Sequence, residues 1–202
     1  MKKSAFNALI SFTILLCGAL FFYLSPNWLI LPISAFVWFL FEVSLRRINI
    51  KKLGAAFSMG TFLAAFDFLV ENFGAYLGLW VSRNSLFFVL AVPVEIILTC
   101  LFGGAAFYLL LSSFKWNVKS VLFNSFVWSM GGMVGELYLN MIGFMKYGNG
   151  WTSFPHAFFA YLITWLILHA VFDTMSRNYF FLHAVQRIQK LNHLLENTRG
   201  KG

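Results

Sequence analysis

Four carboxylates, Asp67, Glu71, Glu95 and Glu136, sit inside apolar stretches long enough to cross a bilayer. No other feature narrows the possible folds as much. One carboxylate at a bilayer centre costs about 2.5–3.5 kcal/mol on insertion scales, so four facing lipid would cost on the order of 10 kcal/mol. The chain must therefore turn them toward one another, toward water or toward a ligand inside a helix bundle. The surrounding sequence agrees with a bilayer setting. Of 202 residues, 60% are hydrophobic and only 11% charged, against about a quarter charged in a soluble domain. Between Lys3 and Glu42 there is no charged side chain. A soluble domain of this size could not hide that run.

Six spans fit the pattern, at residues 5–24, 28–45, 53–81, 86–112, 118–145 and 153–175. Each is near or above the roughly 20 residues that cross the hydrocarbon. The expected architecture is all-α: a six-helix transmembrane bundle over residues 1–176, then a cytoplasmic tail over 177–202. In that tail Leu182, Val185, Ile188, Leu191 and Leu195 recur at three- and four-residue spacing, with Arg187 and Lys190 between them. This is the pattern of an amphipathic helix lying on the membrane surface. The third, fourth and fifth spans exceed the needed length, so irregular points are expected at Gly74, Gly78, Pro93, Gly131, Gly132 and Gly135.

The net charge of +8 does not point to nucleic acid, because the basic residues cluster in the short connections. Thirteen fall on the side of the N-terminus; only Arg83 and Lys146 fall on the other. That bias places both termini in the cytoplasm of a multi-pass cell-membrane protein. Trp28, Trp80, Trp151, Tyr23 and Tyr147 fall at the outer ends, as in an aromatic belt. The first apolar stretch lacks a small-residue cleavage site and reads as a retained span. Cys17 and Cys100 lie in apolar runs without metal or disulfide spacing. No cofactor is expected. The partners are the bilayer itself and an apolar, isoprenoid-like substrate or another small ligand.

Asp67 and Glu71 are four apart and share a helix face. Glu95 and Glu136 fall at comparable outer depth, and helices joined by short loops are usually neighbours. All four acids are thus expected to line one pocket, with Asn72 and Asn140 as hydrogen-bond partners and His156 at its mouth. Acids gathered there cannot all ionise, so a neutral carboxylic acid would stand beside an ionised one, a donor beside a base. The bland alternative is that they only hold helices together. His169 and Asp173, also four apart, read as a helix-end pair rather than a metal site. An internal echo accompanies the acids. Residues 67–80 read D-x3-E-N-x-G-x5-W and residues 136–151 read E-x3-N-x2-G-x7-W, as a duplicated helix pair would.

The stretches FDFLVENFGAYLGLW and VPVEI resemble the integral-membrane carotenoid enzymes, namely lycopene cyclase-type domains and carotenoid hydratases. Asp67, Trp80, Pro93 and Glu95 match. Ile96 stands where the cyclases carry a second acid. GELYLNMIGFMKYGNGW looks like a second copy, in which Glu136, Tyr147 and Trp151 match. The resemblance covers about a third of the chain. It implies cofactor-free chemistry, in which a protonated acid adds a proton to an isoprenoid double bond and a second carboxylate removes one. Glu95 would be the donor, Asp67 or Glu71 the base, and Glu136 a further catalytic acid. Trp80, Trp151, Tyr147, Asn72, Asn140 and His156 would hold the substrate. Read from the residues alone, a transporter or substrate-binding membrane component for a cationic or vitamin-like ligand fits the acids and aromatics equally. A structural membrane protein acting through its tail is a third class.

Overall fold

The computed structural model describes residues 3–46, 48–114 and 116–176. The tail expected to form an amphipathic helix lies outside the described residues. The fold is all-α, with six α-helices among the described residues: α1 (Lys3–Leu24), α2 (Ile30–Leu45), α3 (Ile50–Tyr76), α4 (Val94–Leu111), α5 (Val118–Met141) and α6 (Phe158–Met175). One wide helical turn at Ser153–Ala157 leads into α6. Three segments, Ile50–Tyr76, Val94–Leu111 and Ser153–Met175, are long and apolar enough to cross a membrane. The described residues also form four short strands: β1 (Trp80–Ser82), β2 (Phe88–Val89), β3 (Val92–Pro93) and β4 (Met145–Tyr147).

Local chemistry sets the helix starts. The Asn49 side chain caps α3 by accepting from the Lys52 N–H, and Asn117 with Ser120 forms a reciprocal capping box on α5. Small residues set the packing. A Cβ on Gly60 of α3 would overlap the Leu101 carbonyl of α4, and one on Gly104 would meet Gly60. These two helices therefore approach backbone to backbone, as helices with small residues at their contact do. α2 packs on the other side of α4, and α1 on α2. The core gathers around Phe107, whose ring meets Trp128, Trp165 and His169 edge-on. A fifth acid is buried here. Glu42 accepts from Ser11 Oγ and Trp38 Nε1 and is ion-paired with Arg46.

The outer ends differ from the expected spans. The third stops at Tyr76 rather than 81. The fourth starts at Val94 rather than 86, because residues 88–93 form the β2–β3 hairpin and Pro93, lacking an N–H, stands as the cap of α4. The fifth stops at Met141 rather than 145. The expected third and fifth spans run into β1 and β4 at residues 80–81 and 145; these strands pair antiparallel in the register Trp80↔Tyr147, Val81↔Lys146, Ser82↔Met145.

This ribbon exposes a two-fold relation in the chain. A constant spacing of 65 residues relates Glu71 to Glu136, Gly78 to Gly143, and Asn84 to Asn149. The same spacing carries β1 onto β4. Both glycines and both asparagines have positive φ. Gly78 and Gly143 end α3 and α5 with matching bonds: Leu79 N–H to Gly74 C=O at 2.9 Å, and Phe144 N–H to Leu139 C=O at 2.9 Å. Each is a Schellman stop, which needs a left-handed residue after the helix. The bonds flanking the ribbon are also images of each other: Arg83 N–H to Phe144 C=O at 2.7 Å, and Gly148 N–H to Leu79 C=O at 2.8 Å. The echo is thus present, but in a register other than the one its residue spacing suggests. Glu71, not Asp67, is the counterpart of Glu136. Asp67 corresponds to Gly132.

The two glycine stops give an unequal pair of expected losses. Gly143→Ala meets open space, so only the left-handed backbone opposes it, at about 1–2 kcal/mol. Gly78→Ala has the same backbone cost and also presses its Cβ on the Asn149 amide. Equilibrium denaturation of the two variants in mild detergent should rank Gly78→Ala as the less stable. Equal losses near zero would contradict the assigned stops.

Candidate functional site

The paired strands bring the outer halves of α3, α5 and α6 around a small cavity of about 60 Å³. Its walls are Phe66, Asp67, Val70 and Glu71 from α3, Glu136 from α5, Ala160, Tyr161 and Thr164 from α6, and Trp80 and Trp151 from the outer connections. No lysine, arginine or histidine is among them. The volume admits a group of a few heavy atoms or a few waters.

Each of the two equivalent acids receives an indole N–H. Trp80 Nε1 donates to Glu71 Oε2 at 2.8 Å, and Trp151 Nε1 donates to Glu136 Oε1 at 2.9 Å. The two indoles touch, with ring centroids 4.6 Å apart at 53°. Trp80 can lie flat over α3 because Gly74 leaves room; a Cβ there would overlap the indole ring. The Tyr161 and Tyr147 hydroxyls also engage the Glu136 carboxyl. Asp67 faces the Cys100 thiol, but its Oδ2 atom is buried without a hydrogen-bond partner. A buried polar atom left unpaired costs about 1–3 kcal/mol.

Not all the residues expected at the site meet there. Asp67, Glu71, Glu136, Trp80 and Trp151 line the cavity; Glu95 does not. Its carboxyl accepts from Ser85 Oγ and, at 3.0 Å, from the Leu86 N–H. Both oxygens hold the loop before α4, and Glu95 stands in the first turn of that helix rather than a third of the way along a span. Asn72 serves the same loop, accepting from the Ala91 N–H at 3.1 Å and donating to Phe68 C=O at 2.7 Å. Asn140 lies in the last turn of α5, its carbonyl accepting from Gly143 N–H; it is not a wall residue. His156 bonds Thr152 through Nδ1 and stacks on the outer side of Trp151, 5.5 Å between centroids. Tyr147 shares a hydrogen bond with Ser153 at 2.8 Å. His169 bonds the Asn124 side chain through Nε2 at 2.8 Å.

Tyr161 and Thr164 were not legible as site residues. α6 is apolar all round, so no face of it stands out. The one signal is Gly132, against whose bare Cα the Tyr161 ring lies: a Cβ there would overlap that ring. No protein-family model matches the chain, and no curated protein or solved structure matches it.

Tyr147, in the ribbon outside the helices, carries a pH signature. Burial first, and then the neighbouring Glu136, push its phenol up to about 12 from 10.0. The folded protein thus favours the neutral phenol. Stability from this group is intact below pH 10 and is lost as pH rises toward 12, where the unfolded chain ionises first. Denaturation midpoints between pH 9 and 12 should fall more steeply for the wild type than for Tyr147→Phe. Parallel slopes would show that Tyr147 is not desolvated.

Proposed function

We propose that this chain is a six-span membrane protein, with both termini cytoplasmic, that binds a small cation in the acid-lined cavity, as a carrier or the substrate-binding component of a transporter would. The single observation that carries this reading is a cavity lined by three carboxylates and four aromatic rings, with no basic side chain among the described residues. Carboxylates supply the counter-charge for a cation, and indole and phenol faces attract it through their ring quadrupoles. An intramembrane site of this kind is the usual setting for ions and polar substrates.

The bilayer setting draws support from the inverted surface. Large apolar side chains stand exposed on helices beyond the three long apolar segments: Phe21 on α1 is 67% exposed and Phe123 on α5 is 70% exposed. The polar residues Glu42, Ser125, Ser129, His169 and Asp173 are buried. A soluble fold arranges these groups the other way round. The basic residues at the cytoplasmic ends supply the orientation.

The isoprenoid-modifying reading keeps one structural point in its favour: Asp67 and Trp80, both part of the resemblance, line the cavity. Its expected proton donor, Glu95, is engaged elsewhere, and the cavity volume suits a small group better than a long polyene.

A panel of inorganic and organic cations, tested by thermal unfolding in detergent, separates the readings. A ligand that binds only the folded state raises its stability. At least one cation should raise the midpoint of the wild type. Glu71→Gln and Glu136→Gln should reduce that rise, and Glu95→Gln should leave it intact. No rise with any cation, together with an isoprenoid lipid extracted from the purified protein, would favour the enzyme instead.

A further inference from the structure

Building on the cation-binding reading, we infer that the cavity is a tripod for a primary ammonium group: the ammonium ion or the head of a small alkylammonium. The argument starts from what the 65-residue repeat duplicates and what it does not. Glu71 and Glu136 are equivalent and each receives one indole N–H, and Glu136 also engages the Tyr147 and Tyr161 hydroxyls. An acid has capacity for more than one such bond, since a carboxylate offers about four lone-pair sites and a protonated carboxyl still accepts. Asp67 breaks the two-fold pattern. Its counterpart is Gly132, and the space beside that glycine is taken by the Tyr161 ring. The site is therefore two matched acids plus a third acid on one side, with a phenol ring on the other.

The third acid carries the specificity. Asp67 Oδ2 is fully buried, lacks a partner and belongs to a residue that lines the cavity. An R–NH3+ group has three N–H donors, one for each of three carboxyls. A quaternary ammonium has no N–H and would leave Asp67 Oδ2 unpaired. An alkali cation would coordinate the same carboxyl oxygens, but without N–H donors it has no three directed hydrogen bonds to match to the three acids. The cavity volume of about 60 Å³ suits a head group with a short substituent. The rings of Trp80, Trp151 and Tyr161 enclose it and add the cation–π attraction common to all ammonium ions.

Equilibrium dialysis of the purified full-length protein against radiolabelled methylammonium tests this. Competitors are ammonium, tetramethylammonium and sodium at constant ionic strength. The expected result is saturable binding that ammonium displaces and the other two do not. Asp67→Asn should weaken methylammonium by at least about ten-fold, as losing one charge-assisted hydrogen bond would. The competition series uses the wild type alone, so it decides the question even if that variant misfolds. If tetramethylammonium or sodium displaces the label as well as ammonium does, the tripod is overturned while the cation site stands. If no cation binds, both are overturned.

Discussion

The antiparallel pairing of Trp80–Ser82 with Met145–Tyr147 is the constraint on which the rest of the outer half depends. Three residues a side form a weak ribbon on their own. Here each strand leaves its helix through a glycine stop, so the direction of the strand is fixed by the helix it follows. Pairing the strands then ties the end of α3 to the end of α5 through the ribbon. Because the ribbon pairs each strand with its own counterpart, it sits on a local two-fold, and residues equivalent in the repeat come to face each other. Glu71 and Glu136 lie seven residues before their glycines, two helical turns inside the ribbon. Their shared cavity is a consequence of that geometry.

The same geometry explains how a chain this apolar tolerates its acids. Besides Asp173, five carboxyls of the described helices are buried or half-buried. Glu42 is joined to Arg46, Ser11 and Trp38; Glu95 is bound by the loop before α4; Glu71 and Glu136 each take an indole. These four answer the helix-bracing account of intramembrane acids. Asp67 does not, since one of its oxygens is buried and unpaired. Bracing and ligand binding are thus divided among the acids, and the division could not be read from residue type alone.

Much of the architecture was legible because helices announce themselves by length and apolarity. The pairing of Asp67 with Glu71 on one face follows from the sequence directly. The ribbon was not legible. Trp80 and Val81 continue one apolar run and Met145 ends another, and three residues are too few for strand periodicity to register. That omission displaced two span ends, those of the third and fifth. It also put the echo in the wrong register, because the tryptophans are its most conspicuous residues and they are not counterparts. Trp80 and Trp151 reach equivalent acids from different places. Glu95 was misjudged for a related reason. Starting the fourth helix at residue 86 buries Glu95 within a span, whereas the hairpin ahead of Pro93 makes it a first-turn residue that binds loop N–H groups.

The claim that most of this rests on is that Glu71 and Glu136 face each other across the seam of the two repeats. A double-cysteine measurement reaches it most directly. In a background with Cys17 and Cys100 replaced by serine, Glu71→Cys/Glu136→Cys would be treated with a short bifunctional thiol reagent, and the linked peptides identified by mass spectrometry. The account predicts an intramolecular link for this pair and none for Glu95→Cys/Glu136→Cys. A link in the second pair but not the first would contradict it.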